Sequence, residues 1–248
     1  MSNNDVSACS LMADYLDSIG AGKILVDRGP LSFDWTPPSL VGRDNELGIL
    51  ASMFMGIGNE GVSGRAVVIG HVGTGKTVLT RRFGEDVVRE LDGVRKMALS
   101  HVNCRNHPST NQVLQQIALS LDSRHPERGF SSGEIIQSIR RNIRSRGLHM
   151  ILVLDEVDVL IRRDNSDLIY KLLRIDEGQG GQGTISLILV SQDLTLMGMM
   201  EPAIISRLGE SNVLKLEPYG YDGLIGISKQ RYEAVSYTHL TLPTSDLV

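Results

Sequence analysis

The segment Gly70-His71-Val72-Gly73-Thr74-Gly75-Lys76-Thr77 is a complete GxxxxGK[ST] P-loop, lying between an apolar run, Ala66 to Ile69, and a helix-patterned segment. A chain that carries it must place a strand, a phosphate-sized turn and a helix in that order. The glycines let the backbone turn with its N–H groups inward, Lys76 neutralises the β and γ oxygens, Thr77 ligates Mg²⁺ and the helix N-terminus adds partial positive charge. Downstream, Ile151-Leu152-Val153-Leu154-Asp155-Glu156 is a buried-strand run ending in two carboxylates. In that Walker B arrangement Asp155 holds the Mg²⁺ shell and Glu156 polarises an attacking water. The two motifs together predict a nucleoside triphosphate site. Its binding residues are Gly70, Val72, Gly73, Thr74, Gly75, Lys76, Thr77 and Val78, its metal ligands Thr77 and Asp155, and its catalytic carboxylate Glu156.

The 248 residues suffice to bury a full α/β core. A net charge of −4 excludes a chain whose whole surface grips nucleic acid, so any DNA contact must be local. Two cysteines far apart, Cys9 and Cys104, fit a reducing compartment rather than a disulfide scaffold. No apolar stretch approaches membrane-spanning length and the polar start, Met1 to Asp5, lacks the order of a signal peptide, which predicts a cytoplasmic protein with no membrane partner.

Five strands are predicted at Ala66–Gly70, Lys96–Asn103, Met150–Leu154, Thr184–Ser191 and Val213–Leu216, the middle ones continuous apolar runs of the kind that parallel sheets bury on both faces. Helical segments separate them: Val78 to Leu91, Asn111 to Leu121, and a helix opened by the Ser131/Glu134 capping box and striped by Ile135, Ile136, Ile139 and Ile143. Alternating strands and helices imply an α/β fold, a doubly wound parallel five-stranded sheet with the nucleotide at the carboxyl ends of its strands. Residues 1–37 read as a strap with a short amphipathic stretch around Leu11 to Ile19, 38–217 as the base domain and 218–235 as the start of a helical lid. Glu177 to Gly183 (EGQGGQG) reads as a linker loop. The string Val235 to Ser245 resembles translated adaptor read-through, and residues 236–248 are expected to be foreign to the fold.

The fourth predicted strand ends in Ser191-Gln192-Asp193, which would place the Gln192 amide between the Walker motifs, a sensor position for the γ-phosphate or its water. An additional strand between the Walker strands, with a polar sensor, is the order of AAA+ ATPases. Glu201 to Gly209 offers Arg207 where AAA+ subunits reach a neighbour's nucleotide, so Gln192 and Arg207 join Glu156 as catalytic candidates.

The chain resembles the initiator branch of that family, archaeal proteins similar to both origin recognition complex subunit one and cell division control protein six. The resemblance rests on Val41-Gly42-Arg43-Asp44-Asn45-Glu46-Leu47, Val102-Asn103-Cys104-Arg105, Pro126 to Ser131, Asp155-Glu156-Val157-Asp158, and Ser206-Arg207-Leu208-Gly209 through Pro218-Tyr219. It implies ATP/ADP and Mg²⁺ as cofactors, Val41, Gly42 and Arg43 as further nucleotide-binding residues, and weak, regulatory ATP hydrolysis. The implied partners are double-stranded origin DNA, contacted mainly through a C-terminal winged helix that this sequence lacks, a replicative helicase, and further copies of the chain, on a nucleoid-associated protein. Gln192 departs from the family's usual Asn, which moves the amide by a methylene. A scaffold P-loop module and a transposition-helper or DNA-remodelling ATPase are the rival readings.

Three further groups carry two readings each. Asp158 supports either the Walker B strand end or merely its helix N-terminus. His101, Cys104 and His107 have metal-like spacing without an evident fourth ligand. Arg140, Arg141, Arg144 and Arg146 form either a solvated basic face or a contact for DNA phosphates or an acidic partner.

Overall fold

Along β3 (His149–Asp155) every side chain is buried, and alternate residues enter different cores. Met150, Leu152 and Leu154 pack on one face of the sheet, Ile151 and Val153 on the other, because successive Cβ atoms of a strand point to opposite sides. Both faces therefore need cover, and helices supply it. The computed structural model describes residues 29–32, 35–126, 129–175, 177 and 183–235. The remaining strands are β1 (Arg65–Gly70), β2 (Met97–Asn103), β4 (Thr184–Ser191) and β5 (Val213–Leu216), all parallel, in the spatial order β2-β3-β4-β1-β5. This is the expected doubly wound five-stranded sheet.

One core joins Leu50 of α1 (Asp44–Met53) and Phe54, the residue that caps its end, to Leu79 and Phe83 of α2 (Lys76–Glu90), where Phe54 meets Phe83 edge-on with centroids 5.0 Å apart. The opposite core takes the apolar stripes of α3 (Thr110–Leu121) and α4 (Ser132–Arg146), then α5 (Val157–Asp164), α6 (Asp167–Leu173) and α7 (Pro202–Leu208). The Ser131/Glu134 capping box starts α4 as the sequence predicts, and Ile135, Ile139 and Ile143 are its buried residues. Truncating any one of these would cost about 2–5 kcal/mol. Helices α3 and α4 run parallel rather than as a hairpin. Ser132 near the start of α4 bonds Asn111 near the start of α3 at 3.2 Å, while Arg146 at its end donates to the Leu121 carbonyl at 2.9 Å.

Boundaries moved where polar residues extend an element. The P-loop helix begins at Lys76, two residues before the predicted Val78, because Gly75 adopts the left-handed conformation (φ 85°) and caps it from inside the motif. Strand β3 gains His149 and Asp155 at its ends; His149 is buried and bonds Thr184 and Ser186 on β4 at 2.5 and 2.8 Å. The helix expected to open within Val41 to Leu47 runs from Asp44.

The chain divides into two compact units. Residues 40–220 hold the whole sheet. The other unit contains a 3₁₀ turn, Gly29–Leu31, and α8 (Tyr221–Ala234); within it Gln230 donates to the Ser39 carbonyl at 2.8 Å and the Arg231 guanidinium lies 5.8 Å from the Trp35 ring centroid. The amphipathic stretch at Leu11 to Ile19, Cys9, the centre of the glycine-rich loop (178–182) and the adaptor-like residues 236–248 lie outside the described residues.

Candidate functional site

Strand β4 lies between β1 and β3, with Ile69 opposite Ser191 and Leu154 opposite Leu189. The carboxyl ends of all three therefore open at one edge, where the P-loop leaves β1. Gly70 must be glycine because a Cβ would come within 2.7 Å of the Leu216 carbonyl on β5. Gly73 and Gly75 have φ of 80° and 85°, which lets the loop turn sharply between strand and helix. Thr74 is buried and donates from its hydroxyl to the His71 carbonyl at 2.9 Å, and Lys76 Nζ donates to the carbonyls of Gly70 and His71, each at 2.7 Å. Burial lowers the Lys76 pKa, opposed by the charges of Asp155, Glu156 and Asp158. Val72 is exposed at the loop tip, and Val78 is half-buried on α2.

Thr77 Oγ1 donates to Asp155 Oδ2 at 2.6 Å, so both predicted metal ligands meet. Asp155 is only 2% exposed. Burial alone would raise its pKa, but hydrogen bonds from His101 and Thr77, the nearby His101 ring and the Glu156 N–H hold it below the usual carboxylate range. A hydroxyl and an ionised carboxylate in contact are hard oxygen donors, the set that suits Mg²⁺. Glu156 has φ 53°, a left-handed conformation rare outside glycine, and its Oε2 accepts from Arg105 Nε at 2.8 Å. Asp158 is buried and accepts from the Ser191 hydroxyl at 2.7 Å, tying α5 to the end of β4. Asp158 also stands in the first turn of α5, and the strand end it supports is that of β4 rather than the Walker B strand β3. Gln192 follows directly and is half-buried, with Asp193 N donating to Ser191 Oγ at 2.9 Å on its far side.

Arg43 is buried and braces the P-loop from behind. Its guanidinium donates to the carbonyls of Thr74 at 3.0 Å and Glu217 at 2.7 Å, pairs with Glu46 and lies 4.1 Å from the Tyr219 ring centroid. Val41 and Gly42 precede it, Gly42 with φ 61°. Tyr219, whose ring would be 3.5 Å from a Cβ on Gly75, escaped the residue-by-residue reading, although it stood in a segment that carried the family resemblance.

Arg207 does not reach its own chain's P-loop. Its carbonyl accepts from Arg65, the first residue of β1 and thus at the far end of the strand from the loop, and its guanidinium bonds Glu177 at 2.8 Å. Among the described residues no three metal-ligating side chains converge. His101 instead turns Nε2 to within 3.2 Å of Asp155 Oδ2, and burial pushes the Cys104 thiol up to about 12.

The AAA domain family model matches residues 62–199, more than half of the chain. The chain belongs to the AAA domain family. This AAA chain is 32% identical over 229 residues to an ORC1-type DNA replication protein of Desulfurococcus amylolyticus, covering 90% of its own length and 57% of the relative's. It is 30% identical over 234 residues to ORC1-type DNA replication protein 2 of Saccharolobus solfataricus, covering 92% and 56%. Among solved structures, the Aeropyrum pernix ORC1 protein in complex with DNA matches with TM-score 0.76 and 29% identity over 88% of this chain and 56% of that one. The Aeropyrum pernix ORC2 protein, solved as ADPNP–ADP complexes, matches with TM-score 0.74 and 25% identity over 85% and 56%. The AAA chain thus resembles archaeal ORC1-type replication proteins, as its quoted segments imply, and spans a little over half of their length. No helix among the described residues is long and apolar enough to cross a membrane.

Proposed function

We propose that this chain is the ATP-binding and slowly hydrolysing switch of a replication initiator. The observation that carries the reading is the convergence of Lys76, Thr77, Asp155 and Glu156 at the carboxyl ends of β1 and β3, in a chain similar to ORC1-type DNA replication proteins. Phosphate oxygens are stronger acceptors than the Gly70 and His71 carbonyls, so a nucleotide draws Lys76 onto its β and γ groups. Thr77 and Asp155 would hold Mg²⁺, which supplies charge neutralisation at the phosphates. Glu156 orients the attacking water and accepts its proton, and Gln192 reads the γ-phosphate from the end of β4. Arg207, directed away from its own P-loop, acts on a neighbouring copy's nucleotide, which makes self-assembly part of the cycle.

The wider role, recognition of origin duplex mainly through a C-terminal winged helix and loading of a replicative helicase, rests on the similarity to ORC1-type proteins, one of which has been solved in complex with DNA. The central test is Lys76→Ala. Removing a charge-assisted hydrogen bond worth about 1.5–3 kcal/mol should weaken ATP binding roughly 10- to 100-fold in an equilibrium titration. Unchanged affinity would overturn the reading.

A further inference from the structure

At the edge of the sheet opposite the P-loop, β2 and β3 begin side by side and α4 ends against them. Lys96 immediately precedes β2, and its carbonyl accepts from His149 N, the first residue of β3, at 2.8 Å. Three adjoining hollows open there. One of about 790 Å³ is lined by Arg95, Lys96 and Arg146. The next, about 480 Å³, shares those three and adds Arg144. The third, about 520 Å³, continues along α4 over Arg140, Arg141 and Arg144. Ser145 lines all three, so they form one continuous track.

Six cations line this track, and among the described residues none of them forms an ion pair with a carboxylate. Elsewhere Arg89, Arg163 and Lys171 each have an acidic partner. Among the described residues, the carboxylates lining the hollows are Glu60 and Asp92 alone. Half of the cations are anchored by backbone carbonyls: Arg95 on Ile57 and Asn59, Arg140 on Ile175, and Arg146 on Leu121. Lys96, Arg141 and Arg144 are exposed beside them. A chain of net charge −4 that gathers six cations in one concave strip carries a local repulsion that a polyanion relieves.

We infer that this track binds the sugar–phosphate backbone of duplex DNA, independently of sequence. Guanidinium forks match phosphate oxygens two at a time, and a strip of adjoining cations suits a ligand with a regular row of charges. An acidic protein partner would need an apolar centre to anchor it, and the exposed large apolar side chain lining the track is Val94 alone among the described residues. The choice of DNA over other polyanions rests on the proposed replication role. The surface itself lies at the far edge of the sheet from the nucleotide site.

The test is fluorescence anisotropy of a labelled mixed-sequence duplex with the full chain, read across a salt series. The variant Lys96→Glu/Arg141→Glu/Arg144→Glu reverses the three exposed charges that no backbone carbonyl anchors. The control Arg89→Glu/Arg163→Glu/Lys171→Glu makes the same net change elsewhere. The track variant should bind at least about tenfold more weakly than the control, and its log–log salt slope should fall by about one for each phosphate no longer neutralised. Equal losses in the two variants, or parental binding by the track variant, overturn the inference. So does binding of a glutamate-rich peptide that depends on these three residues while duplex binding does not. ATP titrations of the same variants should match the parent. A chain that fails to bind ATP yet shows the expected duplex results refutes the nucleotide reading and leaves the track standing.

Discussion

Thr77 Oγ1 and Asp155 Oδ2 are 2.6 Å apart, and His101 Nε2 approaches the same carboxylate oxygen at 3.2 Å. One oxygen thus ties together the start of α2, the end of β3 and the middle of β2. Thr77→Val keeps the side-chain shape and removes the hydroxyl. If Thr77 is a magnesium ligand, the variant should lose most of the gain in ATP affinity that Mg²⁺ gives the parent, about 10-fold or more, and should melt somewhat lower because buried Asp155 loses a donor. Paired titrations with Mg²⁺ and with chelator decide it, and an unaltered magnesium effect would remove Thr77 from the ligand set.

Glu156 is held on one side by its own strained backbone and on the other by Arg105. The Arg105 guanidinium holds the Glu156 carboxylate to its own side, so the pairing must open before the group assigned to the water can turn to it. Glu156→Gln should leave ATP affinity within about threefold and slow single-turnover hydrolysis by about 10²–10⁴. Arg105→Ala should raise the hydrolysis rate, since it frees the carboxylate without touching the P-loop. A slower Arg105→Ala chain would mean that the guanidinium positions Glu156 for the reaction instead of restraining it.

The parallel strands and the meeting of Thr77 and Asp155 were legible because each is written in a local motif. Apolar runs mark buried parallel strands, and the spacing of the P-loop fixes one strand–turn–helix geometry. What could not be read were contacts made by long side chains between segments far apart in the chain. Arg43 reaches Thr74 and Glu217, and Arg105 reaches Glu156, across separations that no period encodes. His101 looked like a metal ligand because ligand spacing along one strand exit is visible, whereas the neighbouring strand's Asp155 is not. The parallel run of α3 and α4 was hidden for a similar reason: both stripes predict helices, but only the bonds of Asn111 with Ser132 and of Leu121 with Arg146 give their direction.

Cys104 is fully buried, and its thiol is pushed up to about 12 by burial first and then by the charges of Asp155, Asp158 and Glu156. The reactive species is the thiolate, which is scarce at that acidity. Alkylation of Cys104 near pH 8 should therefore be at least about a hundredfold slower in the native chain than in denaturant. Peptide mapping after timed iodoacetamide exposure measures it. Rapid native labelling would mean that the β2 exit opens on the timescale of the reagent.

His149 provides a pH dependence whose sign can be worked out. It is fully buried, bonded to Thr184 and Ser186, and pushed down to about 3 by burial first and by the Arg95 charge second. In the unfolded chain the imidazole titrates near 6.5, so between about pH 6.5 and 3 the unfolded state binds a proton that the folded state refuses. The contribution is fully present above pH 6.5 and is lost as the pH falls, at roughly 1.4 kcal/mol per unit. His149→Gln should destabilise the chain at about pH 7.5, because the bonds across β3 and β4 are disturbed, but it removes the titrating group. The stability gap between parent and variant should therefore shrink by roughly 2 kcal/mol on going from pH 7.5 to pH 5, a difference that isolates His149 from every other group titrating in that window. Urea unfolding of both proteins at the two pH values reads it directly, and a gap that stays constant would show that His149 takes up its proton equally in the folded and unfolded states.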